Sequence, residues 1–179
     1  MGRYIALLRG INVGGKNKIA MPLLRQTFEE FGFTEVVTYI NSGNVVFSSD
    51  CLDKTELIKQ CEAAITSAFS LTVPVNVISA SELAKTLKHA PDWWGEDKDI
   101  IHYAIFLIPP ISMEEVFDAV GAIKPEYERI AHHKRVIYWS APAKTFAKSR
   151  WSKIASSTVN NHVTIRNANT VNKLVKLSQ

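Results

Sequence analysis

One order of apolar segments occurs twice, and this repeat constrains the chain more than any other feature. In the first half, residues 4–8, 36–40, 45–48 and 75–78 have the length and β-branched content of strands, and two amphipathic helices fall between them. The first helix, 22–31, opens on Pro22, sets Leu24, Phe28 and Phe31 on one side and stops at Gly32. The second follows Asp53, an N-cap with Glu56 as its box partner, and turns Leu57, Cys61, Ala64 and Ala68 inward up to about residue 70. A short helix at 81–89 comes next. The same β-α-β-β-α-β-then-α order returns after residue 100. A strand spans 101–108, and Ser112 with Glu115 caps a helix bearing Val116, Phe117 and Val120. Strands at 128–131 and 136–139 flank a His132-His133-Lys134-Arg135 turn. A helix over 144–156 places Ala147, Trp151, Ile154 and Ala155 on one side, a strand covers 163–165, and a closing helix, 170–177, is capped by Asn167 or Asn169.

This order is the split βαβ, or ferredoxin-like, arrangement, an antiparallel four-stranded sheet with two helices on one face. The expected fold is therefore α+β, a tandem duplication of a ferredoxin-like βαββαβ unit, each copy followed by a short helix. Residues 1–90 form the first half, 91–100 a Trp-rich acidic linker and 101–179 the second half. The two copies form two sheets or merge into one. The linker's Trp93 and Trp94 are expected to pack between the halves.

Aligning the halves isolates one insertion. Tyr4-Ile5-Ala6-Leu7-Leu8 matches Tyr103-Ala104-Ile105-Phe106-Leu107 at an offset of 99, whereas the turns at Asn41 and His132 are 91 apart. The first half is thus eight residues longer in this interval, and they most simply lie in residues 10–20. That stretch, with its flanks, reads Arg9-Gly10-Ile11-Asn12-Val13-Gly14-Gly15-Lys16-Asn17-Lys18-Ile19-Ala20-Met21. Paired glycines let the backbone turn tightly and approach a ligand, and Lys16 and Lys18 add positive charge. Gly10 to Lys16 also fits G-x-x-x-x-G-K. A nucleotide-hydrolysing phosphate loop is excluded on chemistry: Asn17 has no hydroxyl for magnesium, and the next helix starts about five residues too late to aim its N-terminus at a phosphate.

Charge is unevenly distributed. Residues 1–28 sum to +5, residues 29–120 to −10 and residues 121–179 to +9. If the fold brings the basic ends together, their field favours an anionic partner. With 46% hydrophobic residues and 179 residues the chain has material for a substantial core. No apolar stretch is long enough to span a membrane and no signal-type N-terminus is present, so a cytoplasmic location is expected. Cys51 and Cys61 have no metal or redox spacing and read as reduced thiols.

Three stretches carry a resemblance: Leu8-Arg9-Gly10-Ile11-Asn12-Val13-Gly14-Gly15 with Met21; Thr38-Tyr39-Ile40-Asn41-Ser42-Gly43-Asn44-Val45-Val46-Phe47; and Thr164-Ile165-Arg166-Asn167 with Thr170, Val171 and Leu174. With these the chain resembles the DUF1697 family of uncharacterised bacterial proteins. The resemblance implies a duplicated ferredoxin-like fold and transfers no activity. Lys148-Ser149-Arg150 stands where family members carry a basic, serine-containing segment.

The candidate ligand-binding residues are Arg9, Asn12, Gly14, Gly15, Lys16, Lys18, Asn41, Ser42, Asn44, Arg150, Arg166 and Asn167. Arginines present planar forks to phosphate or carboxylate, and the asparagines serve the polar edges of a base or sugar or else satisfy turn backbones. The strands 44–49 and 135–140 lack the aromatic pattern of an RNA recognition motif, and Tyr138 and Trp139 read as core. His132 and His133, adjacent in sequence, point apart, and no spacing marks a catalytic nucleophile, a metal set or a cofactor motif. The reading is a protein that holds an anionic ligand, nucleic acid, nucleotide or phosphometabolite, between the first-half loop and the basic second half. The alternative is an enzyme on a phosphorylated or carboxylated small molecule with the same loop as its anion clamp.

Overall fold

The computed structural model describes residues 1–95 and 97–179; Glu96, in the acidic linker, lies outside the described residues. The protein is mixed α+β, with two four-stranded antiparallel sheets and helices in two similar halves. The chain divides into two compact units, Met1–Ala84 with Leu174–Gln179, and Lys85–Lys173.

In unit 1, strands β1 (Gly2–Leu8), β2 (Thr34–Tyr39), β3 (Asn44–Ser49) and β4 (Val75–Ser79) lie in the order β2-β3-β1-β4. Period-2 alternation sends Tyr4, Ala6 and Leu8 of β1, with Val45, Phe47, Val75 and Val77, into one core with Leu24 and Phe28 of α1 (Met21–Glu30) and Leu57, Cys61 and Ile65 of α2 (Lys54–Phe69). Phe47 is the hub, its ring 4.5 Å from that of Phe33 and within 6 Å of those of Tyr4 and Phe28. Asp53 caps α2 by accepting from the backbone N–H groups of Thr55 and Glu56, while the Glu56 carboxylate accepts from Gln60. Ala68 is exposed and Ile65 takes the expected inward place, because the stripe drifts along the 3.6-residue period. A further helix, α3 (Ala80–Lys88), follows β4.

In unit 2, β5 (Ile100–Leu107), β6 (Arg129–His133), β7 (Val136–Pro142) and β8 (Val163–Asn167) repeat the pattern as β6-β7-β5-β8. Ser112 and Glu115 form a reciprocal capping box on α4 (Met113–Val120). Asn167 caps the closing α5 (Ala168–Leu177), accepting from the Thr170 N–H at 2.8 Å. The β6–β7 turn contains only Lys134 and Arg135, so His132 and His133 belong to β6 and leave it in opposite directions. His132 meets Phe117 and His133 stacks on His89 at 3.9 Å.

One expected element is different. Residues 144–156 form no α-helix; 3-10 turns at Ala143–Lys148, Trp151–Ser156 and Asn160–His162 take its place. The cause is local chemistry. The hydroxyls of Ser149, Ser152, Ser156 and Ser157 each donate to the carbonyl three residues back, the reach of a 3-10 turn, and Ser149 adopts an extended conformation that interrupts the helix. Trp151 and Ile154 still point inward, now as buried plugs beside Trp139 and Val116, whereas Ala147 and Ala155 are exposed.

Candidate functional site

The β1–α1 connection, residues 9–20, has twelve residues against five in the equivalent β5–α4 connection. The extra chain folds as a small hairpin. Val13 and Lys16 pair in antiparallel fashion, the Lys16 N–H donates to the Val13 carbonyl at 3.1 Å, and the Asn12 N–H donates to the Asn17 carbonyl. Gly14 (φ 58°) and Gly15 (φ 77°) are its two central residues, and a primed turn requires positive φ at both. The glycines thus have a conformational purpose. The space beside them is open.

Asn12 anchors the hairpin. Its Oδ1 accepts from the Ile19 N–H at 2.8 Å, and its Nδ2 donates to the Ile19 and Asn41 carbonyls at 2.9 Å each. The β2–β3 turn is locked to the same place. Gly43 lies so close to Leu8 and Ile11 that an added Cβ would come within 2.8 Å of them, and its carbonyl accepts from the Leu8 N–H. The loop is therefore held in one conformation with its tip projecting.

Its cations are distributed along it. Lys16 and Lys18 are exposed, and neither ammonium has a hydrogen-bond or ion-pair partner among the described residues. Arg9 is half-buried, and burial pushes its guanidinium below its ordinary pKa. The other two arginines of unit 1 each have a carboxylate: Arg3 with Glu35 at 3.6 Å and Arg25 with Glu29 at 2.9 Å. Arg9 has none among the described residues. A hollow of about 350 Å³ is lined by Asn12, Gly15, Lys18, Ala20, Met21 and Asn41. Arg9 and Lys16 lie outside it. A wider hollow of unit 1, about 780 Å³, holds the Arg3–Glu35 and Arg25–Glu29 pairs and is already charge-compensated.

The remaining candidates have their polar groups engaged or stand in the other unit. Asn44 is buried and donates to the Tyr39 carbonyl and the Ser42 hydroxyl, so this pair builds the turn. Arg150, Arg166 and Asn167 belong to unit 2. Arg166 is 7% exposed and donates to the Ile165 carbonyl, Asn167 caps α5, and the Arg150 side chain is exposed.

Sequence reasoning missed two features of unit 2. Glu128 is a buried carboxylate that accepts four N–H groups: those of Lys124 and Arg150 on Oε1, and Trp151 and the Trp139 indole on Oε2, at 2.8–3.1 Å. A glutamate at a strand start gives no sign of this. Next to it lies a cleft of about 560 Å³ with His102 and Ser140 on its floor. These directly opposed residues of β5 and β7 share a 2.6 Å hydrogen bond between Nδ1 and Oγ. Burial lowers the His102 pKa and the charge of Asp97 partly opposes this, so the imidazole is neutral near pH 7. Of the linker tryptophans, Trp94 is buried and donates to the Tyr103 carbonyl with its ring edge-on to Tyr138, and Trp93 is half-buried. Tyr138 and Trp139 are core residues, and the Tyr138 hydroxyl, donating to the Thr86 carbonyl, has its pKa pushed up to about 12 by burial. No group of three or more His, Cys, Asp or Glu among the described residues is placed to hold a metal ion, and no helix among them is long and apolar enough to cross a membrane.

Residues 1–138 match the model of the family described as "Protein of unknown function (DUF1697)", and the chain belongs to that family. The matched span contains the 9–20 loop and the β2–β3 turn tied to it and ends within β7, ahead of the 3-10 region. Among solved structures, the conserved bacterial protein SP0830 from Streptococcus pneumoniae is similar over 99% of each chain, with a TM-score of 0.86 and 29% sequence identity. No curated protein matches the chain.

Proposed function

We propose that this DUF1697 protein binds an anion at the 9–20 loop of unit 1, and that the ligand carries phosphate, as nucleic acid or nucleotide. The observation that carries the reading is the unpaired state of Arg9, Lys16 and Lys18 among the described residues, in a hairpin whose backbone is already fixed by Asn12. A pre-set loop loses little conformational entropy on binding, and uncompensated cations next to it contribute Coulombic attraction. The hollow at the loop is shallow and opens beside exposed lysines, which suits a chain of phosphates better than an enclosed small molecule. In each unit the sheet order, with β1 and β5 central, supports reading the scaffold as a tandem ferredoxin-like duplication.

The test is fluorescence anisotropy of a labelled mixed-sequence oligonucleotide across a salt series. The double variant Lys16→Ala/Lys18→Ala is expected to weaken binding and to lower the log–log salt slope by roughly two, one for each phosphate that a lysine no longer neutralises. Unchanged affinity and slope in that variant overturn the reading. Competition by ATP at micromolar concentration, with no effect of oligonucleotide length, assigns the loop to a nucleotide.

A further inference from the structure

The cleft of unit 2 is independent of that loop and has the opposite electrostatic character. Its walls are aromatic, supplied by Trp93, Trp94 and Tyr127, and its lining residues include Asp92, Asp97 and Glu126 at the rim with one cation, Arg129, while the Lys148 ammonium stands over Tyr127. None of Asp92, Asp97, Glu126 and Arg129 is in an ion pair among the described residues. The Lys148 ammonium lies over the Tyr127 ring at 5.7 Å, so the Trp93 indole is the aromatic surface to which a ligand's charge is assigned.

The floor excludes an alternative. His102 is 6% exposed, and a protonated imidazole there would repel a positive ligand. It stands neutral, and Asp97 is near enough to act on it. Nδ1 is committed to Ser140, and the ring's other nitrogen has no partner among the described residues. The buried Glu128, also among the lining residues, adds negative potential while its own oxygens are satisfied by N–H donors.

We propose that this cleft binds a small organic cation, an amine or quaternary ammonium compound with an apolar body, its charge held against Trp93 by the acidic rim. Aromatic faces and nearby carboxylates attract such a cation jointly, and about 560 Å³ is in the range of small-ligand sites.

The experiment is tryptophan fluorescence titration of the full chain with benzyltrimethylammonium, with benzyl alcohol and benzoate as neutral and anionic aromatic controls. Saturable quenching by the cation alone is expected. The rim residues are exposed, so their variants keep the fold, and they act with opposite sign. Asp97→Asn should weaken binding by about threefold and Arg129→Gln should tighten it by about threefold, the change a single exposed charge near a ligand produces. Equal quenching by all three compounds, no saturation, or the same response from both variants overturns the proposal.

Discussion

The connection from β3 to β4 in unit 1 is a regular sixteen-residue α-helix, whereas the one from β7 to β8 in unit 2 is a run of 3-10 turns. The sheets they join have the same strand order and the same antiparallel pairing. Both connections cover one face of their sheet, yet they are held in different ways. The α-helix satisfies its backbone internally and needs only a cap at each end, here Asp53 and a left-handed Ser70. The 3-10 run leaves donors unmatched, and the single carboxylate of Glu128 collects two of them together with the Trp139 indole. A sheet of this kind therefore tolerates replacement of a helix if one buried side chain takes over the hydrogen bonding.

Removing each device in turn separates the two modes of support. Glu128→Ala leaves four buried or half-buried N–H groups without an acceptor and should destabilise the protein by about 3–5 kcal/mol. Asp53→Ala, the corresponding change in unit 1, removes an exposed cap and should cost about 1 kcal/mol. Urea denaturation of the two variants gives both values. Equal costs would mean that the 3-10 segment is held by Trp151 and Ile154 packing alone.

A second contrast lies in the β–α connections, twelve residues in unit 1 and five in unit 2, the latter turning at a cis Pro109–Pro110 bond. The longer one needs its own internal support. Asn12→Ala deletes three hydrogen bonds and should cost about 2 kcal/mol. The loop would then be cut by protease at Lys16 or Lys18 before global unfolding, and limited proteolysis reads this directly. Gly15→Ala is milder. It forces a side chain into positive φ where space is otherwise open, so about 1 kcal/mol is expected from backbone strain and the urea midpoint should shift accordingly.

These contrasts also mark what the sequence could show. Strands and helix caps announce themselves through signals a few residues long: alternation in 4–8, Ser112 with Glu115, Asp53 before 54–69. The helix expected over 144–156 rested on Trp151, Ile154 and Ala155 at helical spacing, and that spacing is real for the first two. What overrides it is the serine hydroxyls bonding three residues back together with an acceptor 22 and 23 residues away in the chain, and periodicity carries no trace of that partner. The loop was legible for a related reason. Its glycines, asparagines and lysines form one local run, and the offset between halves located it, whereas the His102–Ser140 floor is made by residues 38 apart on ordinary apolar strands.

The weakest effect separates the units most cleanly. Every histidine of the chain, at 89, 102, 132, 133 and 162, falls in unit 2. Burial lowers the pKa of His102, and desolvation with the neighbouring charges of His89, Lys134 and His132 lowers that of His133. In the unfolded chain both titrate near about 6.5, so the unfolded state takes up protons that the folded state resists. The stability these neutral rings contribute is complete above that pH and is lost as pH falls through the lowered folded values. Amide exchange at pH 7.5 and 5.5, corrected for intrinsic rate, should therefore show protection falling in β5 and β7 while β1 and β3 keep theirs. His102→Gln should remove part of the difference, since its amide accepts the Ser140 hydroxyl without titrating. A uniform loss across both sheets would mean that the two units open as one, and the comparison between them would then describe architecture and not stability.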